Sequence, residues 1–208
     1  MSSDEELYAA WTAGDRAAGG RLVDRHLRSI ARFFANKIWD GDDAEELVGT
    51  TFELCARTLG SFRGESSFRT FLFGLAHNVL RNHIRRRRPE IGEIDLESSA
   101  VRDLGPSPRT AAARRREQAL LLQALRAIPL EHQIVLELVY FEGLSRTEIA
   151  AALELPAGTV ASRLRRADEL LRQQLRRQAH DAAHFHATHD GLAQWAEQLR
   201  EQLGRADG

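Results

Sequence analysis

From Leu7 to about Arg87, apolar residues recur every three or four positions, and only an α-helix gathers residues so spaced onto one face. Three faces are legible: Val23, Leu27, Ile30, Phe34 and Ile38; then Val48, Phe52, Cys55 and Leu59; then Phe68, Phe71, Leu72, Leu75, Val79 and Ile84. Gly41-Asp42 and Gly60-Ser61 punctuate them, so the spacing predicts a bundle of consecutive helices. Between Pro89 and about Ala111 the periodicity gives way to Pro89, Gly92, Gly105, Pro106 and Pro108 among Glu90, Glu93, Asp95, Glu97 and Asp103. That composition predicts an acidic, extended linker. Helical spacing resumes in Leu120, Leu121, Ala124, Leu125 and Ile128, breaks at Pro129, and continues through Ile134, Val135, Leu138 and Val139 to Gly143. The expected fold class is all-α, with two small helical domains over 5–88 and 112–178, a linker over 89–111, and a C-terminal extension over 179–208. Aromatic residues at only 7% agree with helices over sheets.

The formal net charge of −1 does not announce a nucleic-acid binder, so any such role must lie in how charge is distributed. Of the 29 basic residues only Lys37 is a lysine. A general preference for arginine could account for much of the rest, and each cluster needs its own argument. Cys55 stands alone in an apolar helical pattern, which predicts a buried structural thiol and gives no support to disulfides, a zinc knuckle or a cysteine nucleophile. The start Met1-Ser2-Ser3-Asp4-Glu5-Glu6 has neither a basic nor an apolar leader region, and no apolar run reaches membrane-spanning length. A cytoplasmic, soluble protein without membrane insertion is expected.

The sharpest local motif is Ser145-Arg146-Thr147-Glu148, a capping box in which the serine hydroxyl and the glutamate satisfy each other's backbone N–H groups. The helix it starts carries Ile149, Ala150, Ala151, Ala152 and Leu153, small enough for a second helix to come close, and stops near Leu155-Pro156. A second helix opens at Thr159, with Val160, Leu164, Ala167 and Leu171 on its buried face. Such a pair is a helix-turn-helix. Arg163, Arg165 and Arg166 could pair with guanine or clamp phosphates, and Thr159 and Ser162 could donate to phosphate near the helix N-terminus. A helical hairpin with a solvated arginine face is the plainer alternative.

Over residues 5 to 178 the chain resembles an extracytoplasmic-function (ECF) sigma factor of the sigma-70 family, on three motifs in that family's order. The run Asp42-Asp43-Ala44-Glu45-Glu46-Leu47-Val48-Gly49-Thr50-Thr51-Phe52 resembles the acidic helix by which such proteins dock on core RNA polymerase. The resemblance implies a core-binding set of Asp42, Asp43, Glu46, Thr50 and Phe52, with Asp43 and Glu46 facing polymerase arginines. The run from Phe62 to Asn78 resembles the segment that recognises and melts the minus-ten promoter element, and implies that the loop of about Ser61 to Ser67 captures a base flipped from the non-template strand. It assigns minus-ten contacts to Phe62, Arg63, Ser66, Ser67, Arg69 and Asn78. Arg81, Arg85, Arg86, Arg87 and Arg88 would line the DNA backbone, or else form a solvated, dipole-favoured helix end. Phe71 reads as core more readily than as a base-stacking platform.

The helix-turn-helix resembles the family's domain 4, which implies that Thr159, Ser162, Arg163, Arg165 and Arg166 read the minus-thirty-five element. The linker resembles the segment that threads toward the RNA exit path, and its acidity would offset the basic DNA-facing surfaces. Departures are Ala161 where a basic residue is frequent, Asp168 where an arginine is frequent, and Gly19-Gly20 in place of a bulky apolar residue. The glycines should weaken helicity locally.

The extension carries His180, His184, His186 and His189 at spacings that could hold a metal ion on one helix face, although a solvated tether is the plainer reading. Leu192, Trp195, Leu199 and Leu203 share one apolar face and are expected to dock on a sigma domain or another protein. The expected function is that of an alternative sigma factor whose partners are core RNA polymerase and promoter DNA. An anti-sigma factor, or self-inhibition by the extension, are two open routes to its regulation. No catalysis and no cofactor are expected, since no Gly-rich phosphate loop or walled metal site is legible. The alternative is a stand-alone helix-turn-helix regulator, against which the acidic run Asp42 to Glu46 counts.

Overall fold

The structure, a computed structural model, describes residues 2–38, 40–62, 64, 66–87 and 121–178. Its elements are helices: α1 (Asp4–Thr12), α2 (Arg16–Ala35), α3 (Gly41–Arg57), α4 (Phe68–Arg87), a helical stretch over 121–126, α5 (Leu130–Tyr140), α6 (Arg146–Leu153) and α7 (Ala157–Gln178). Local chemistry sets their starts. Ser3 and Glu6 form a capping box on α1, Asp15 accepts from the N–H groups of Ala17 and Ala18, and Asp40 accepts from Asp42 and Asp43 at the head of α3.

α2 runs unbroken through Gly19-Gly20. The Trp11 indole lies where a Gly19 Cβ would stand, with ring atoms at 2.6 Å, so α1 can lie against α2 only because that side chain is missing. The buried stripe of α2 is Ala18, Leu22, His26, Ile30, Phe33 and Phe34. This corrects the expected face, since Leu27 is 42% exposed and Val23 only half-buried. The sequence misleads because a polar residue, His26, lies on the inner stripe, where its Nε2 meets Asp4 Oδ2 at 2.7 Å.

The chain divides into two compact units. The first comprises Met1–Ala35, Asp40–Ile94 and Ser145–Pro156; the second comprises Asn36–Trp39, Asp95–Leu144 and Ala157–Gly208. These groupings differ from the expected ranges in where α6 and Asn36–Trp39 fall. Ile30, Phe34, Phe68, Leu72, Phe73 and Leu80 fill the core of the first unit. Within it α6 packs on α4, and Gly74 permits the approach, since a Cβ there would come within 3.1 Å of the Ala152 carbonyl oxygen. Cys55 is buried in the same unit and burial pushes its thiol up to about 11, which fits the expected structural role.

In the second unit Leu125, Ile128, Ile134, Val135 and Leu138 pack with Val160, Ala167, Leu171 and Leu175 of α7. The lone lysine is fully buried there. Lys37 Nζ pairs with Glu137, which also accepts from Gln133 Nε2 at 2.8 Å, while Gln133 and Arg126 both donate to the Asn36 carbonyl. Burial lowers the Lys37 ammonium below its ordinary value, against the opposing pull of Glu137.

Candidate nucleic-acid and polymerase-binding surfaces

The acidic face begins in the first turn of α3, where the helix N-terminus favours negative charge. Asp42, Glu46 and Thr50 are exposed and fall four residues apart, so they line one strip of the helix. Phe52 is half-buried. Asp43 differs from the other acids. Its carboxylate pairs with Arg87 at the end of α4 and its side chain is 18% exposed. Of the acids in the implied core-binding set, Asp42 and Glu46 are exposed and Asp43 is engaged with Arg87.

The loop before α4 opens at Gly60, which takes a left-handed φ of +92°. Phe62 is half-buried, its ring 5.1 Å from Tyr8, 5.4 Å from Phe71 and 6.1 Å from Phe68. Arg63 lies outside the described residues. Ser67 caps α4, accepting from the Thr70 N–H at 3.2 Å, and its hydroxyl donates to Glu148 Oε1 at 3.3 Å. Thr70 Oγ1 donates to the same oxygen at 3.4 Å. Ser66, Arg69 and Asn78 are half-buried, whereas Arg81, Arg85 and Arg86 are exposed along the second half of α4. Phe73 is buried and Phe71 half-buried, so Phe71 is only partly core.

The capping box on α6 is complete: Ser145 Oγ accepts from the Glu148 N–H at 3.2 Å and Glu148 Oε2 accepts from the Ser145 N–H at 2.8 Å. The Ser145 backbone N–H, then its side chain, hold the Glu148 carboxyl below its ordinary range, helped by Ser67 and Thr70 and opposed by burial. A carboxyl depressed in the folded state contributes stability that is complete above its unfolded value and is lost as pH falls through the folded one. Ser145→Ala should cost about 1 kcal/mol in urea unfolding near neutral pH, with the deficit narrowing in acid. A deficit under a few tenths would show the box to be inert. Glu154 closes α6 in the left-handed region at φ 55°, and Pro156 precedes α7.

On α7 the expected DNA-reading residues divide. Ser162, Arg165 and Arg166 are exposed, and Thr159 is half-buried, its carbonyl accepting from the Ser162 hydroxyl at 2.9 Å. Arg166 pairs with Glu169 at 3.0 Å in an exposed contact of the kind worth little, so it can change partner cheaply. Arg163 is held differently. It lies 2.6 Å from Glu131, a carboxylate only 5% exposed, and this ion pair within the second unit ties it to α5. Asp168, the departure noted above, bonds Arg172 at 2.9 Å.

Nothing in the sequence points to Glu131 or Tyr8, and it marks Glu148 only as half of a capping box. The capping box gives Glu148 a complete local role, so its second partners, 78 and 81 residues away, leave no trace in the local pattern. Among the described residues no group of three or more histidine, cysteine or acidic side chains could hold a metal, and no helix is long and apolar enough to cross a membrane. His180, His184, His186, His189 and the apolar face from Leu192 to Leu203 lie outside the described residues, as does the linker.

Two family models match this chain, sigma-70 region 2 over residues 22–90 and sigma-70 region 4 over residues 118–169. The RNA polymerase sigma-H factor of Pseudomonas aeruginosa is 32% identical over 180 residues, spanning 82% of this chain and 93% of that protein. The chain belongs to the sigma-70 family. It is of the ECF type, and the ECF RNA polymerase sigma-E factor of Escherichia coli is 29% identical to it over 177 residues, 81% of this chain and 92% of that one. A solved structure of CnrH in complex with the cytosolic domain of CnrY superposes with a TM-score of 0.64 at 25% identity, covering 86% of this sigma factor and all of that chain. The sigma factor RpoE of Bartonella quintana, at 22% identity and a TM-score of 0.59, supports the fold. Region 2 takes in α3, α4 and most of α2, and region 4 takes in α5, α6 and the first half of α7.

Proposed function

We propose that this sigma factor docks on core RNA polymerase through the acidic strip of α3, opens the minus-ten element with the loop before α4 and α4 itself, and reads the minus-thirty-five duplex with α7. The observation that carries this is the presence of regions 2 and 4 on one chain in this order. A stand-alone helix-turn-helix regulator has no use for region 2. In this reading the functional domains are 5–88 and 112–178, joined by the acidic linker. Binding and strand separation suffice for such a task, so the protein catalyses nothing itself, needs no cofactor and works in the cytoplasm beside the polymerase.

Exposure divides labour among the arginines. Arg81, Arg85 and Arg86 are placed to meet phosphates, and each contact adds salt-dependent affinity. Arg165 and Arg166 are placed to read or clamp the upstream element, while Arg163 positions α7 through Glu131. Arg166→Ala should weaken binding to the selected upstream duplex by about 1–3 kcal/mol and relax preference at one base pair, read by titration against a panel of singly substituted duplexes. An unchanged preference assigns the base contact elsewhere. A second class of partner is an anti-sigma protein, of the kind RpoE of Bartonella quintana binds in its co-crystal with the anti-sigma factor NepR, with self-inhibition by residues 179–208 as the other route to control.

Run-off transcription from genomic fragments, with core polymerase alone and with the protein added, tests the reading. Discrete new transcripts are expected. Duplex binding without any polymerase-dependent transcript would instead establish a stand-alone regulator.

A further inference from the structure

We propose that Tyr8, on the first helix and outside the matched region 2, is the positioning residue of the base-capturing loop. The inference rests on the reading of that loop given above and adds the group that holds it in shape. Tyr8 is 6% exposed, and its hydroxyl, which must find a partner when buried, accepts the Gly60 N–H at 2.9 Å. Gly60 is where the chain leaves α3 and turns, at a φ of +92°. The same ring meets Phe62 edge-on at 5.1 Å and 84°, and Phe68 at 5.4 Å. One side chain thus grips the loop at its entry, at its first aromatic residue, and at its exit into α4.

Gripping matters because of what the loop is made of. Gly60 and Gly64 both take positive φ, and glycine loses more backbone freedom on ordering than any other residue. A pocket that must catch an extruded base works best when that ordering precedes binding, since any ordering left to the moment of capture subtracts from affinity. Phe62 is the only aromatic residue inside the loop, and Tyr8, Phe68 and Phe71 fix its ring. Behind Phe68 lies His26, 5.6 Å away, itself bonded to Asp4, which also pairs with Arg25. Asp4 and Tyr8 belong to one helix, so α1 braces the loop from two points four residues apart.

The test uses holoenzyme assembled from core polymerase and the full chain, with a single-stranded non-template oligonucleotide spanning the minus-ten element of a promoter found by run-off transcription. A second oligonucleotide carries an abasic site at the captured position, located by scanning. Tyr8→Phe keeps the rings and removes only the hydroxyl. It should weaken binding to the intact strand by about three- to tenfold, the scale of one neutral hydrogen bond, while leaving the abasic strand and the upstream duplex bound as by wild type. The fluorescence of 2-aminopurine at the captured position should change correspondingly less on binding the variant. An equal loss on intact and abasic strands would mark Tyr8 as merely structural, and no loss on either would overturn the proposal outright. If the wild type itself binds both strands alike, the loop captures no base and the proposal falls with the reading it rests on. If the wild type discriminates and Tyr8→Phe discriminates equally, only the role of Tyr8 is lost.

Discussion

Asp42→Arg combined with Glu46→Arg should reduce retention of core RNA polymerase on the immobilised protein by a hundredfold or more, on the order expected when like charges meet across an interface at several kcal/mol. Both side chains are exposed on one strip of α3, so reversing them disturbs little within the protein. The local cost is the loss of a favourable acid in the first helical turn, about 0.3–1 kcal/mol, and of the Glu46 charge near His83. Asp43 is the poorer target despite its place in the motif, because Asp43→Arg would break its pair with Arg87 and set two guanidinium groups together. Circular dichroism and thermal unfolding close to wild type, with binding lost, would assign the strip to polymerase. Retained binding would remove α3 from the interface.

Lys37→Met should destabilise the second unit by about 3–5 kcal/mol, since it takes from the buried Glu137 carboxylate the ammonium paired with it and leaves Arg126 as the remaining cation beside it. Glu142 adds to the negative field that Lys37 balances. Replacing both members of the pair, as Lys37→Met with Glu137→Leu, should recover much of that loss because a well-packed apolar pair needs no counter-charge. Recovery will fall short of complete, as Gln133 Nε2 loses one of its two acceptors. Urea unfolding of the two variants and the wild type checks the order. A single variant within about 1 kcal/mol of wild type would show that water or a rearranged acid satisfies the site.

Much of this fold is written in local signals. The capping box at Ser145, the proline before α7 and the apolar spacing of α3 and α4 each depend on residues within a turn or two of one another, and the helices they imply are where they were expected. The failures share one cause. His26 is polar yet buried, and Leu27 apolar yet exposed, because Asp4, 22 residues earlier, gives the imidazole a partner. Lys37 is buried against Glu137, a hundred residues on. Polar burial depends on partners distant in sequence, and no periodicity announces them.

The same division holds for the candidate site. The acidic run of α3 and the arginines of α4 came into view through the family resemblance and those of α7 also through the helix-turn-helix pattern, and Asp42, Glu46, Arg81, Arg85, Arg86, Arg165 and Arg166 are exposed. Arg163 and Asp43 match their exposed neighbours Arg165 and Asp42 in residue type, and the ion pairs to Glu131 and Arg87 set them apart. Ser67, expected to face DNA, bonds Glu148 in this structure.

Permanganate footprinting of a promoter bound by core polymerase and the wild-type chain tests the central claim most directly, because it reports unpaired thymines where region 2 is held to act. Reactive thymines clustered around the minus-ten element, appearing only when polymerase and the protein are both present, are the predicted result. A duplex that stays unreactive throughout while both proteins remain bound would contradict the account.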